Sequence, residues 1–545
     1  MVDSSQPLLR IAVAQLAFKV GAITANKQKI IQAVEQARDD LGADWVVFPE
    51  LSITGYPPDD LLLRSDFIAA AERALAAVAE HCQGITAVVG APVRSGGSLR
   101  NAAVVLNAGA ELGRAYKRCL PSYSVFDDNR HFRAGDSPCV VEAANGLRVA
   151  IAICEDLWFS GPSAEAAGQG ADLLIGLNAS PYHQAKLAER EAIIAQRATE
   201  NGLPIIYANL VGGHDEIVYD GGSFAVDKRG RTKARAPLFE DGLYRVEVAG
   251  DGQVNGQCQP QAANQQATYS ALVRGTADYV RGNGFGGVVL GLSGGIDSAL
   301  TAAIAVDALG KENVLAVMMP SRYTAQRSLD DAQAAAQVLG IDYRVIPIEQ
   351  LYGDFERALD SVFAGYQTDV TEENIQARIR GDLVMAISNK LGLMLLAAGN
   401  KSELAVGYAT LYGDMCGGFA PLKDVYKTKV YQLAEYRNRR GLVVPHSIIE
   451  REPTAELRAD QRDQDSLPPY PLLDELLCQY IEEDAAETEL TIAGLDAAEC
   501  KRVIELLYRN EYKRRQGAPG VKVTRRAFGR DRRYPITSGW QGEKN

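Results

Sequence analysis

Cysteine is sparse in this chain, eight residues in 545, and no two of them form a C-x-x-C pair. That excludes both a disulfide framework and a zinc knuckle. No run of about 18 apolar residues occurs, so no membrane-spanning helix is expected. The opening residues, Met1-Val2-Asp3-Ser4-Ser5-Gln6-Pro7, lack the basic and apolar regions of a secretory leader, and a cytoplasmic protein is expected. A basic excess is missing too. With 57 Lys and Arg against 69 Asp and Glu the net charge is −12, which argues against a general nucleic-acid binder. The five histidines have no metal-ligand spacing. What is present is ordinary globular composition, 47% hydrophobic and 23% charged, in a chain too long for one hydrophobic core.

Two α/β patterns divide the chain. From residue 8 to about 248, short apolar runs (10–16, 45–48, 86–89, 103–106, 148–153, 173–177 and 204–209) alternate with Ala-rich segments of helical period (26–41, 67–81, 186–201). Residues 251–268 are polar and aperiodic and read as a linker between a domain at 1–250 and another at 269–545. Past it, helix 269–281, strand 287–292, helix 299–309, strand 314–319, helix 325–339 and strand 343–348 form a β-α-β-α-β run, the mark of a parallel sheet. Ligands of such sheets sit beyond the carboxyl ends of the strands. In the tail, residues 472–500 carry nine acids and no base, and 501–534 carry twelve bases against three acids. Such runs are solvated helix faces or a surface for an anionic ligand. Gly282-Asn283-Gly284-Phe285-Gly286-Gly287 matches G-x-G-x-x-G, but it precedes its strand instead of following it and reads as a loop.

Three strand ends in the first half carry reactive groups: Glu50 after Val46-Val47-Phe48-Pro49, Lys117 in Arg114-Ala115-Tyr116-Lys117, and Cys154 after Val149–Ile153. A buried cysteine is often only a small hydrophobe. At the end of an apolar strand and before Glu155-Asp156, it instead points into the ligand crevice. A free thiol has a pKa near ~8.5 and needs a base or cation to reach its thiolate form. Glu50 suits the base, and Lys117 suits the oxyanion that forms when sulfur attacks an amide. The Glu155 backbone N–H is a candidate second donor. These segments resemble the nitrilase (carbon–nitrogen hydrolase) superfamily, which implies an α-β-β-α sandwich with a Glu50-Lys117-Cys154 triad. Tyr123, Ser180 and Lys186 resemble the glutamine-holding residues of its glutaminase branch. The further glutamate often found after the lysine is not evident, and Asp127 or Asp128 stands in for it.

In the second half Gly291-Leu292-Ser293-Gly294-Gly295-Ile296-Asp297-Ser298 joins a strand to a helix. Glycines let the backbone approach a phosphate, the serines add hydroxyls, the helix start adds its dipole, and Asp297 can hold Mg²⁺. The segment resembles the PP-loop of ATP pyrophosphatases, implying a doubly wound, Rossmann-like parallel sheet. Asn374–Arg380, Gly399–Glu403, Gly407–Asp414 and Arg451–Leu457 further resemble the NAD synthetase family. That resemblance implies ATP contacts from residues 291–298, Ala398, Lys427 and Thr454. It places Asn374, Arg378, Glu403 and Lys513 around deamido-NAD, and makes Asp297 and Glu403 magnesium ligands. Relatives often have Thr where this chain has Ala398, so only backbone contact is expected there.

A glutaminase fused to a carboxylate-adenylating enzyme makes an amidotransferase, and over its whole length the chain resembles the glutamine-dependent branch of that family. ATP, deamido-NAD and glutamine are the implied substrates. No nucleic-acid or membrane partner is expected, and a homo-oligomer built through the synthetase domain is implied. A different PP-loop amidotransferase or sulfur-transfer enzyme, which lacks support from a cysteine pair, and a scaffold with dead sites are the competing readings.

Overall fold

The computed structural model describes residues 7–458 and 461–540. Its chain forms two compact units, Met1–His214 with Val218–Ala263, and Asp215–Ile217 with Asn264–Asn545. The strands of the first run β1 (Leu8–Gln15), β2 (Trp45–Val47), β3 (Thr86–Ser95), β4 (Ser98–Asn107), β5 (Ala110–Tyr116), β6 (Cys139–Glu142), β7 (Arg148–Ile153), β8 (Leu173–Asn178), β9 (Ile205–Asn209), β10 (Val211–His214), β11 (Ile217–Asp220), β12 (Phe224–Val226), β13 (Thr232–Arg235), β14 (Gly242–Ala249) and β15 (Val254–Gly256). Its helices are α1 (Ile23–Asp39), α2 (Ser65–Glu80), α3 (Ser160–Gly168) and α4 (Lys186–Asn201).

Two sheets face each other. One has the order β15-β14-β1-β2-β3-β4-β5, the other β13-β12-β9-β8-β7-β6. Ile11, Val13, Val47, Val88 and Val105 of the first meet Val149, Ile151, Ile153, Ile175 and Leu177 of the second in one buried cluster. The opposite face of the second sheet (Ala150, Ala152, Leu174, Ile205, Tyr207) packs with Ala166 of α3 and with Ile194 and Ala198 of α4. Both faces of β7 and β8 are therefore apolar, which is why they read as continuous runs. This is the expected α-β-β-α sandwich. Residues 254–256, within the stretch read as a linker, instead extend the first sheet by pairing antiparallel with β14.

The second unit holds a four-stranded parallel sheet, order β18-β17-β16-β19, from β16 (Val288–Gly291), β17 (Val314–Met318), β18 (Asp342–Val345) and β19 (Met394–Leu396). Helices α5 (Asn264–Gly282), α6 (Ile296–Leu309), α7 (Gln326–Leu339), α8 (Glu349–Phe363), α9 (Val370–Leu391), α10 (Lys401–Val406) and α11 (Lys427–Asn438) follow in chain order. The chain runs outward from β16 to β18 and returns to the other side of β16 with β19. The topological switch point lies between those two strands, where doubly wound sheets bind ligands. Among the described residues no helix is long and apolar enough to cross a membrane.

Candidate active sites

Each member of the first constellation follows a strand: Glu50 after β2, Lys117 after β5, Cys154 after β7. The first two come from one sheet and the third from the other. All three are buried, at 1%, 1% and 2% exposure. The Lys117 ammonium lies 2.7 Å from Glu50 Oε1 and 2.6 Å from Asp128 Oδ2. Asn101 Nδ2 donates to the same Glu50 oxygen at 2.7 Å, and the Tyr56 hydroxyl donates to Asp128 Oδ1 at 3.2 Å. Between the adjacent Asp127 and Asp128, it is Asp128 that takes the lysine. Glu50 Oε2 is buried with no hydrogen-bond partner among the described residues, so one carboxylate oxygen is left to take a proton. Gly90 must be small here, because a Cβ would stand 2.4 Å from Leu51 N and 2.6 Å from Pro49 O, inside the turn that carries Glu50.

Burial pushes the Cys154 thiol well above its ordinary range; Glu50 adds to the rise, while Lys117 and a backbone hydrogen bond from Ala179 oppose it. Burial likewise raises the Glu50 carboxyl against the pull of Lys117. Burial alone would lower Lys117, but the carboxylates of Glu50 and Asp128 outweigh it and hold the ammonium firmly charged. The resting site therefore pairs a protonated thiol with a carboxylate made more basic by its surroundings, suited to general-base activation of the nucleophile.

The three expected glutamine-holding residues are held by neighbours of their own. The Tyr123 hydroxyl donates to Glu155 Oε1 at 2.8 Å. Lys186 pairs with Glu189 at 3.0 Å and lies 3.9 Å from the centre of the Trp158 ring. The buried Ser180 hydroxyl accepts from Arg190 Nε at 3.1 Å. Arg190, itself buried, also donates to the Ser180 and Pro181 carbonyls and pairs with Asp220 at 2.8 Å.

At the switch point of the second unit, Ser293 and Ser298 face each other across the glycine turn (Oγ···Oγ 3.1 Å), and Gly295 N–H donates to Ser293 Oγ at 3.2 Å. Gly294 has φ +81, and a Cβ on it would lie 2.4 Å from the Ser328 carbonyl of α7. Leu292 and Ile296 are buried and anchor the turn from below. Asp297 opens α6 from the end of β16, and Asn400 and Glu403 come from the segment after β19. Asn400 caps α10 by accepting from Glu403 N–H at 3.0 Å, while its amide donates to Asp297 Oδ1 at 2.9 Å. The Lys427 ammonium bridges Asp297 and Glu403, 3.0 Å from the latter. Burial pushes the Glu403 carboxyl up to about 7, with Lys427 opposing and Asp297 adding to the rise.

The residues expected around deamido-NAD meet on one loop, 407–411. Asn374 Oδ1 accepts from Thr410 Oγ1 at 2.8 Å, Arg378 Nε donates to the Leu411 carbonyl at 3.2 Å, and Lys513 donates to the Gly407 and Ala409 carbonyls at 3.0 Å each. That loop joins Glu403 through Tyr408 N–H on the Glu403 carbonyl. Ala398 sits half-buried just past β19. The Thr454 hydroxyl donates to the Gln461 carbonyl at 2.6 Å, while its neighbours Arg451 and Glu456 bond the hydroxyl of Ser328, whose backbone packs against Gly294.

Family models match both halves: carbon-nitrogen hydrolase over residues 10–252 and NAD synthase over 268–517. A glutamine-dependent NAD(+) synthetase of Xanthomonas campestris is 49% identical over 98% of this chain and 98% of its own. The chain belongs to the glutamine-dependent NAD(+) synthetase family. The enzyme of that name from Acinetobacter baumannii, solved in complex with adenosine diphosphate, has a TM-score of 0.80 at 42% identity and covers 98% of this chain and 100% of its own. A Cytophaga hutchinsonii structure, at 21% identity and TM-score 0.84, covers 98% of both chains and shares the fold.

Sequence reasoning assigned no role to several residues that join these two constellations. Asn101 had only a weak signal, an amide directly before the apolar run 102–106 of β4. Asn400 had one as well, a helix-capping Asn three residues before an acid. Arg190 gave none, since an arginine in an amphipathic helix ordinarily faces water.

Proposed function

We propose that the chain makes NAD from deamido-NAD, ATP and glutamine, releasing AMP, pyrophosphate and glutamate. The convergence of Asp297, Asn400, Glu403 and Lys427 beside the 291–298 turn carries the reading. At the first site the Cys154 sulfur attacks the side-chain amide carbon of glutamine as Glu50 takes the thiol proton. Lys117 and the Glu155 N–H stabilise the oxyanion. Glu50 returns the proton to the departing ammonia, then draws one from the water that attacks the thioester carbon and passes it to the Cys154 sulfur as the carbon–sulfur bond breaks and glutamate is released. Tyr123, Ser180 and Lys186 hold the amino-acid end of the substrate.

At the second site the backbone and hydroxyls of residues 291–298 receive the phosphates of ATP, supported by Lys427, Thr454 and the backbone at Ala398. Asn374, Arg378, Glu403 and Lys513 hold deamido-NAD with its nicotinate carboxylate towards the α-phosphorus. Carboxylate oxygen attacks, pyrophosphate leaves, and ammonia then displaces AMP from the adenylate. The donor set fits magnesium. Two carboxylates already converge on one cation, and Mg²⁺ needs only one or two when phosphates complete its shell. Among the described residues no cluster of three or more ligands would hold a metal unaided. Asp297 and Glu403 would hold the ion, which would neutralise phosphate charge when bound.

We further infer a cytoplasmic enzyme that self-associates through its synthetase domain, to be checked by sedimentation of the whole chain and of residues 264–545. The activity test is incubation with ATP, Mg²⁺, deamido-NAD and glutamine, following NAD, AMP and pyrophosphate. ADP and phosphate as products would indicate a different ligase chemistry.

A further inference from the structure

Two residues past the nucleophile, Asp156 is 2% exposed and has no part in the steps above. Its carboxylate makes three backbone hydrogen bonds. Oδ1 accepts from the N–H groups of Arg118 at 2.9 Å and Cys119 at 2.7 Å, the two residues that follow Lys117. Oδ2 accepts from the Ile153 N–H at 3.1 Å, the residue that precedes Cys154. One side chain thus ties the end of β5, in the seven-stranded sheet, to the end of β7, in the six-stranded sheet.

The tie lies where the backbone is under strain. Cys154 has φ +48, a left-handed conformation that a non-glycine residue keeps only when its surroundings over-determine it. Glu50 and Lys117 share a sheet and are joined directly by an ion pair, whereas the thiol enters from the facing sheet. Apolar contacts between two sheets do not specify a separation to a few tenths of an ångström. Directional hydrogen bonds on both sides do.

We propose that Asp156 is a positioning residue for glutamine hydrolysis, setting the Cys154 sulfur against Lys117 and Glu50 by fixing the backbone next to both sulfur and ammonium. This rests on reading Glu50, Lys117 and Cys154 as the glutaminase site. Asp156 touches neither substrate nor reacting atoms, so it acts on the covalent step through the geometry of others. A displacement near 1 Å costs about 100-fold in rate.

The experiment compares the full-length parent with Asp156→Asn and Asp156→Glu, below their unfolding temperatures, for glutamate release and for NAD formation from ammonium. Asn keeps the size but turns an NH₂ towards either Ile153 or the Arg118–Cys119 pair. Glu keeps the charge and moves it by one methylene. Both variants are expected to lose about 100-fold in kcat for glutamine hydrolysis. The KM for glutamine should stay within about threefold and ammonium-supported synthesis within about twofold. Parent-like kcat in either variant overturns the proposal, whatever happens to thermal stability: in Asn it means the tie is structural only, in Glu that charge and not place matters. A raised KM at unchanged kcat overturns it too, by making Asp156 a binding residue. Should one variant fail to fold, the other decides. Failure of the underlying reading looks different: Cys154→Ala would then hydrolyse glutamine as fast as the parent.

Discussion

Replacing Gly294 with alanine should cripple NAD synthesis while sparing glutamine hydrolysis, and the size of the effect follows from two distances. At φ +81 an L-residue already carries a cost of about 1–2 kcal/mol. The added Cβ would also stand 2.4 Å from the Ser328 carbonyl oxygen and 3.0 Å from its Cα, where ordinary contact begins at 3.4 Å, so about 1 Å of movement must be found. Ser328 is poorly placed to give way. It is buried, and its hydroxyl is held by Glu456 at 2.8 Å and Arg451 at 2.6 Å. The glycine turn must move instead. A 1 Å displacement of positioning groups costs about 100-fold, or about 2.7 kcal/mol in kcat/KM for ATP. Gly295→Ala is the internal control. Its φ is −88, and its nearest contact would be Ser293 Oγ at 3.3 Å, a rotatable atom. That variant should lose less than about tenfold. The assay is ammonium-supported NAD formation at varied ATP, with glutamate release from glutamine measured on the same samples. A Gly294→Ala enzyme within twofold of the parent, or equal losses in the two variants, would refute the reasoning.

Further outcomes follow from the same geometry. Cys154→Ala should lose several orders of magnitude of glutamine-supported synthesis yet keep nearly its parent rate with abundant ammonium at alkaline pH; full glutamine-supported activity would remove Cys154 from the site. Asp297→Ala should abolish synthesis from either nitrogen source while glutamine hydrolysis persists, and parent-like synthesis would exclude Asp297 from the nucleotide site. Because burial raises the Glu403 carboxyl to about 7, protonation removes its charge well above the usual carboxylate range. Deamido-NAD-dependent exchange of pyrophosphate into ATP, which consumes no ammonia, should therefore show kcat/KM falling as pH drops through about 7. A profile flat down to about pH 5.5 would contradict that assignment.

The strands most legible in the sequence were those buried on both faces, such as β7 and β8, because nothing polar interrupts them. Where a strand runs out to solvent its polar half was lost. Apolar letters placed 86–89 and 103–106, yet the hairpin extends to Ser95 and back from Ser98 through Gly96 and Gly97, both with positive φ. β14 escaped because its partner β1 lies more than 200 residues away, and no local pattern encodes such a pairing. The candidate site residues are readable where they end strands or sit in glycine turns, as with Glu50, Cys154 and Asp297. Asp128 could not be told from Asp127, since neighbouring loop acids are distinguished only by where the chain turns them. The charged tail was ambiguous for a related reason. Most of the bases that carry structural meaning find acids: Arg514 and Arg532 on Glu511 at 2.8 and 2.6 Å, and Lys522 on Asp531 at 2.9 Å. Lys513 instead turns to the loop at 407–409. Composition alone sees twelve equivalent cations.

Both sites place one lysine between two carboxylates, and exposure separates what the two arrangements can do. Around Lys117 the side chains of Lys117, Glu50 and Asp128 are 0%, 0% and 7% exposed. One ammonium there faces two carboxylates, so removing Lys117 would leave buried negative charge uncompensated, a penalty of about 3–5 kcal/mol. In the proposed hydrolysis the mobile proton would then move between the Cys154 sulfur and the free oxygen of Glu50. Around Lys427 the ammonium is equally buried at 3%, but Asp297 and Glu403 keep 18% and 17% of their side chains open. Both residues belong to the segments that follow β16 and β19, the strands that flank the switch point. A carboxylate pair partly open to solvent can exchange part of its neutralisation by lysine for another cation at modest cost, whereas an enclosed pair cannot. On the proposed roles, the same three residue types would serve proton transfer in one place and nucleotide assembly in the other, according to how far the surrounding fold closes over them.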